Sequence, residues 1–231
     1  MIQIDNLSKQ YNENIVLKIS SLSIQDGESF GLVGNNGAGK TTLFRLILDL
    51  IEANTGKVLV NGQPVARNDE WKTIIGSFLD EGFLIDFLTP DEYFHFVGKL
   101  YQKSEGDITL FLESMAEFFN GEILGAKKLI RDLSKGNQKK VGIAAAILPE
   151  PKILILDEPF TALDPSSQIR LKRLLEDLQA TKGMSMLISS HDLNHVTEVC
   201  KRIVVLEKGS IVRDIERSED TLKELESYFA V

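Results

Sequence analysis

Hydrophobic and polar positions change period several times along this chain, and each change marks an element. Apolar residues alternate with polar ones over 2–7 and 15–24, most clearly at Ile15, Leu17 and Ile19. A period of two predicts strands of an antiparallel N-terminal sheet, with Tyr11 in the loop between them. A continuous apolar run over 30–33 gives way, across a glycine-rich turn, to an amphipathic stretch over 43–50, so strand, turn and helix follow one another. Residues 57–60 form a short strand closed by Asn61-Gly62, a strong hairpin signal because both residue types tolerate positive φ.

A further strand is expected over 71–79, followed by an acidic and aromatic stretch containing Asp80, Glu81, Phe83, Asp86 and Phe87. Two helical patterns come next. The first, over 90–101, opens with Pro90-Asp91-Glu92, which suits a helix N-terminus. The second, over 108–119, carries Phe111, Met115, Phe118 and Phe119, read either as the core of a helical lobe or as a protein-docking surface. Residues 134–148 predict one helix whose Gly142, Ala144, Ala145 and Ala146 allow close packing on a sheet. The run over 152–157 is apolar until its final carboxylate, as expected of a central parallel strand buried on both faces. A helix over 165–179, a buried strand over 184–189, a strand pair over 203–207 and 210–213 around Lys208-Gly209, and a charged helix over 218–229 complete the pattern.

Composition adds limits to this layout. With 231 residues the chain has room for one large α/β domain, and 43% hydrophobic with 26% charged residues is ordinary for a globular protein. A formal net charge of -8 argues against a nucleic-acid partner, since such proteins neutralise phosphates with clustered Lys and Arg. The pairs Lys127-Lys128 and Lys139-Lys140 read as local features. The single cysteine, Cys200, reads as a buried structural thiol. Residues 1–5 lack a basic and apolar leader pattern, and the longest apolar runs, over 143–148 and 153–156, are too short to cross a bilayer. A cytosolic protein is expected, or one held on a membrane through a partner.

The candidate chemistry lies in the glycine-rich turn, Gly34-Asn35-Asn36-Gly37-Ala38-Gly39-Lys40-Thr41. Between a strand and a helix this spacing is that of a phosphate-binding loop. Successive N–H groups form an anion nest, the helix dipole adds positive charge, and glycines let the backbone approach a triphosphate. Lys40 is expected on the β- and γ-phosphates and the Thr41 hydroxyl on Mg²⁺, with Thr42 beside them. The strand ending in Asp157-Glu158 supplies the next requirement, a rigidly held carboxylate near Mg²⁺ and a second to orient or deprotonate the attacking water.

Leu133-Ser134-Lys135-Gly136-Asn137-Gln138, upstream of that strand, completes a pattern that resembles the nucleotide-binding subunit of ATP-binding cassette (ABC) transporters, in particular small export-type (ABC-2-like) cassettes. The likeness covers essentially the whole chain. It implies an α/β fold: a P-loop NTPase core with a central, mostly parallel sheet, an N-terminal antiparallel β subdomain and a helical subdomain inserted at about 82–148, all within one domain over 1–231. It further implies that Ser134, Gly136 and Asn137 close over ATP held by a second nucleotide-binding subunit, and that a transmembrane permease subunit is driven by the motion. Ala162-Leu163-Asp164 resembles the loop crossing that dimer interface, His191 the residue that contacts the γ-phosphate, and Tyr11 the aromatic that stacks on adenine. His195 keeps a packing or surface reading. The groove beside 80–87 is the implied docking surface. The chain departs from the family at Lys135, where glycine is usual, at Asn137, where glutamine is usual, and at Asp80, which stands where glutamine is common, with Glu81 as the alternate. Two other readings stay open at this point: a cassette serving a cytosolic assembly machine, such as iron–sulfur assembly, and a slow-turnover regulatory module.

Overall fold

The computed structural model describes residues 1–125 and 127–230. The alternating N-terminal pattern forms β1 (Ile2–Tyr11) and β2 (Asn14–Ile24), paired antiparallel. Tyr11 is therefore not a loop residue but the last position of β1, facing Asn14 across the turn. The next strand, β3 (Ser29–Val33), is wholly buried and leads into α1 (Lys40–Ile47). The hairpin at Asn61-Gly62 joins β4 (Thr55–Val60) to the two-residue β5 (Gln63–Pro64).

The strand expected over 71–79 is shorter. Trp71 belongs to a 3₁₀ turn (Glu70–Thr73), held there because its indole N–H donates to the Val65 carbonyl at 3.1 Å, and β6 spans Ile75–Phe78. After a second 3₁₀ turn (Glu81–Phe83), α2 (Pro90–Leu100) starts at a capping box formed by Thr89 and Glu92. The pattern over 108–119 resolves into two pieces, α3 (Glu105–Ser114) and α4 (Ala116–Phe119). Ser104 and Asp107 form the capping box that starts α3 early, and near its end the Ser114 hydroxyl bonds back to the Phe111 carbonyl at 2.6 Å. Met115, Phe118 and Phe119 are buried and Phe111 packs partly buried against the same core, so the core reading of this segment holds.

A helix capped by Ser134, α5 (Lys135–Ile147), precedes β7 (Ile153–Leu156). Then come α6 (Pro165–Lys182), closed by Gly183 in the left-handed region, β8 (Ser185–Ser190), α7 (Leu193–Val199), β9 (Arg202–Glu207), β10 (Ser210–Glu216) and α8 (Thr221–Phe229).

The strands form two sheets. One is antiparallel and four-stranded, in the order β2-β1-β4-β5; the other is six-stranded, in the order β10-β9-β3-β8-β7-β6, parallel except where β10 pairs with β9. The continuous apolar run of β7 has a direct use: Leu154 and Leu156 face the core shared with α5, α6 and α7, while Ile153 and Ile155 face the core between the sheets, where α1 packs. Cys200 is fully buried, and burial pushes its thiol up to about 12, so it is a structural hydrophobe. Among the described residues no helix is long and apolar enough to cross a membrane.

One close contact sets the seating of α5. A Cβ at Gly142 would lie 2.1 Å from the Phe78 ring, so only glycine lets the helix lie flush on β6. Gly142→Ala is expected to lower stability by about 1–3 kcal/mol through overpacking, measured by urea unfolding. An unchanged midpoint would mean that α5 can slide away from β6 at no cost.

Candidate nucleotide site

Parallel strands end side by side, so the loops that follow β3, β7 and β8 emerge on one edge of the sheet. The first is the glycine-rich turn. Gly39, at φ +108°, is the N-cap of α1, a conformation that L side chains rarely adopt, and a Cβ at Gly34 would come within 2.3 Å of the Leu206 carbonyl oxygen. The loop is thereby kept close to β9 with its N–H groups free of side-chain bulk. Asn35, Asn36, Gly37 and Ala38 line one side of a cavity of about 780 Å³ whose other walls are α8 and the β9–β10 hairpin.

Lys40 begins α1 and is buried. Its ammonium donates to the Gly34 carbonyl at 2.6 Å and lies 3.3 Å from Glu158 Oε1. That oxygen is buried with no hydrogen-bond partner, so the Lys40 charge is what compensates it. Thr41 donates its hydroxyl proton to Asp157 at 2.5 Å, while Thr42, the next residue, is partly buried. Asp157 also accepts from the Ser189 hydroxyl. Burial pushes the Asp157 carboxyl above the usual range, against the opposing pull of those two hydroxyls.

Glu158 sits at φ +47°, an uncommon conformation for a side chain of this kind. Its backbone N–H donates to Ser189 Oγ at 2.9 Å, and its carboxylate Oε2 lies 2.8 Å from His191 Nδ1. Lys40, Thr41, Asp157, Glu158 and His191 thus form one contact cluster, drawn from three loops widely separated in sequence. Sequence reasoning missed Ser189, a small polar residue inside an apolar strand with no motif around it. It also missed Lys139, which in sequence reads only as part of a local lysine pair although both side chains are buried.

A magnesium ion fits this donor set in a specific way. No group of three or more His, Cys, Asp or Glu able to hold a metal is present among the described residues, but Thr41 Oγ1 and Asp157 Oδ2 already converge on each other. Two hard oxygen donors from the protein are what Mg²⁺ takes when phosphate oxygens and waters complete its shell. The raised Asp157 carboxyl would be stabilised as the anion by such a cation.

The remaining expected site residues lie elsewhere. Ser134 caps α5 and accepts from the Asn137 N–H at 3.2 Å, while Gly136 sits against the Ala162 carbonyl, 2.7 Å from where a Cβ would be. Asp164 caps α6, and three hydrogen bonds from Ser166 and Ser167 hold its carboxyl well below the usual range. Tyr11 is exposed, with the Lys9 ammonium 5.0 Å from its ring centre. Asp80 accepts from the Gly82 N–H at 2.7 Å and lies 3.9 Å from Arg45, whereas Glu81 points the other way, 3.6 Å from Lys139. His195 stacks on Phe160 at 4.6 Å, and burial holds its imidazole below the usual range, which suits its packing role.

The sequence pattern of the ABC transporter family matches residues 17–161, more than half of the chain. This chain belongs to that family. It is 35% identical over 94% of its length to the ABC transporter ATP-binding protein YhaQ of Bacillus subtilis, covering 74% of that protein. It is 31% identical over 99% of its length to the lantibiotic transport ATP-binding protein SrtF of Streptococcus pyogenes, covering 96% of it. Other curated relatives are longer, and the cassette spans 55% to 60% of two of them. Its fold is similar to that of MJ0796, a bacterial ABC transporter cassette solved as a dimer, with a TM-score of 0.85 at 26% identity over 94% of this chain and 99% of that one. The cassette is accordingly an ATP-binding ATPase of the P-loop NTPase fold.

Proposed function

We propose that this cassette hydrolyses ATP as one of two nucleotide-binding subunits that drive a separate transmembrane permease, in the direction of export. The observation that carries the reading is the contact cluster of Lys40, Thr41, Asp157, Glu158 and His191 at the ends of β3, β7 and β8. In this reading the triphosphate of ATP occupies the loop of residues 34–41, and Lys40 turns from Gly34 and Glu158 to the β- and γ-phosphates. Glu158, relieved of that contact, accepts the proton of the attacking water, and His191 fixes the carboxylate through Nδ1 while reaching the γ-phosphate. Thr41 and Asp157 would hold Mg²⁺, which would supply charge neutralisation at the phosphates, and Asp80 is the carboxylate assigned to sense it, with Glu81 as the alternate. Tyr11 stacks on adenine.

Ser134, Gly136 and Asn137 act on ATP bound to the second subunit. Supporting this, they cap and open α5 and take no part in the Lys40 cluster. Residues 1–231 form a single cassette in which a helical subdomain, about 82–148, moves with the permease. A groove of about 530 Å³ between α2 and the 3₁₀ turn after β6, walled by Leu50, Trp71, Phe83, Tyr93, Phe96 and Leu100, is the seat of the permease's cytoplasmic helix. Several of these apolar side chains are exposed. The likeness to SrtF, named for lantibiotic transport, supports export, and the permease selects the cargo. The cassette is then peripheral on the cytoplasmic face of the membrane through that partner.

The test is fractionation of native cells. The cassette is expected in the membrane pellet together with one polytopic protein, and release into the supernatant on loss of that protein. A cassette that stays soluble and retrieves no polytopic protein would favour the cytosolic-machine reading.

A further inference from the structure

Lys139 lies in the first turns of α5 and its side chain is almost fully buried, 6% exposed. Its ammonium donates to the Glu158 carbonyl oxygen at 2.9 Å and to Thr161 Oγ1 at 3.0 Å, and lies 3.6 Å from Glu81 Oε1. The Thr161 hydroxyl donates in turn to the same Glu158 carbonyl at 2.8 Å. The ammonium thus holds the segment that carries Glu158 through two hydrogen bonds and the turn that opens the apolar groove through an ion pair.

This contact set has two physical consequences. Glu158 holds a left-handed backbone conformation, which persists only where surrounding groups fix it. Ser189 fixes its N–H, while Lys139 and Thr161 fix its carbonyl, so Lys139 helps to aim the Glu158 carboxylate. In addition, burial lowers the Lys139 pKa, and Glu81 is first among the groups that oppose this. Glu81 is the first residue of the 3₁₀ turn whose third residue, Phe83, lines the groove. A shift of that turn separates Glu81 from Lys139 and leaves the ammonium with neutral acceptors in a buried place, which weakens its hold on Glu158.

We propose that Lys139 is a positioning residue that couples the groove-lining turn, through Glu81, to the backbone of Glu158. This rests on the reading of Glu158 as the group that activates water. Lys139 touches no reacting atom; it acts through Glu158.

Steady-state ATPase kinetics of the full chain test the coupling with K139Q, K139R, E81Q and the E81Q/K139Q double variant. K139Q is expected to lower kcat by about tenfold or more with KM for ATP within about threefold, because aim is lost and nucleotide binding is not. K139R, which keeps the charge and donors, recovers most of kcat. E81Q lowers kcat several-fold, and the double variant is no slower than K139Q alone, since the two residues act through one contact. Wild-type kcat in K139Q, or single effects that simply multiply in the double variant, would overturn the coupling. E81Q leaves α5 intact, so if K139Q does not fold, a wild-type kcat in E81Q alone overturns it. The reading of Glu158 fails separately: it falls if E158Q keeps the wild-type rate, whatever the Lys139 variants do.

Discussion

Glu158→Gln is expected to form a stable ATP-bound dimer that elutes on size exclusion at about twice the monomer mass, with turnover lowered by about 10²–10⁴-fold. The substitution keeps size and hydrogen-bonding shape but removes the base. Glu158 Oε1 faces Lys40 at 3.3 Å and Oε2 faces His191 at 2.8 Å, so this carboxylate sits between the two groups assigned to the phosphates. A glutamine there still permits ATP to enter and the second subunit to close, but no longer takes a proton from water. The nucleotide is then held without being cleaved. Monomer only in the presence of ATP, with hydrolysis at the wild-type rate, would remove Glu158 from its role.

Lys40→Ala is expected to lower kcat/KM by about 10²–10³-fold, chiefly through loss of the positive charge at the phosphates. Two measurements separate this from unfolding. ATP affinity, followed by titration with a fluorescent analogue, should fall with the rate, while the thermal transition of the free protein stays cooperative. Lys40→Arg should not restore activity, because the ammonium is buried against the Gly34 carbonyl at 2.6 Å and the site cannot take a planar guanidinium. If Lys40→Ala bound and turned over ATP as the wild type does, the loop of residues 34–41 would not be the triphosphate site.

Much of the scaffold around these residues is legible in local pattern. Strands β1, β2, β7 and β8 follow from alternation or from unbroken apolar runs, because burial on one face or on both imposes those periods directly. The early start of α3 and the shortened β6 are less legible. Each depends on a specific contact, the Ser104–Asp107 capping box in one case and the Trp71 indole bond to Val65 in the other. Such contacts shift an element's boundary without altering its period.

The site divides along the same line. Residues 34–41, the carboxylates Asp157 and Glu158, and the Ser134 segment are legible because their chemistry requires particular residue types at fixed short spacings. Sequence alone determined that this chain carries a glycine-rich strand-to-helix loop, a second helix start and a strand-end pair of carboxylates, in that order. Only the tertiary structure decided which of them meet. Parallel pairing of β3, β7 and β8 brings Thr41 onto Asp157 and Glu158 between Lys40 and His191, across 116 and 33 residues of chain. It also turned Lys139 inward, onto the backbone of Glu158 and within 3.6 Å of Glu81, although in sequence it reads only as part of a local lysine pair. The reason is physical: short-range spacing constrains groups that act from one loop, whereas a contact between loops is fixed by sheet register and helix seating, which no local segment specifies.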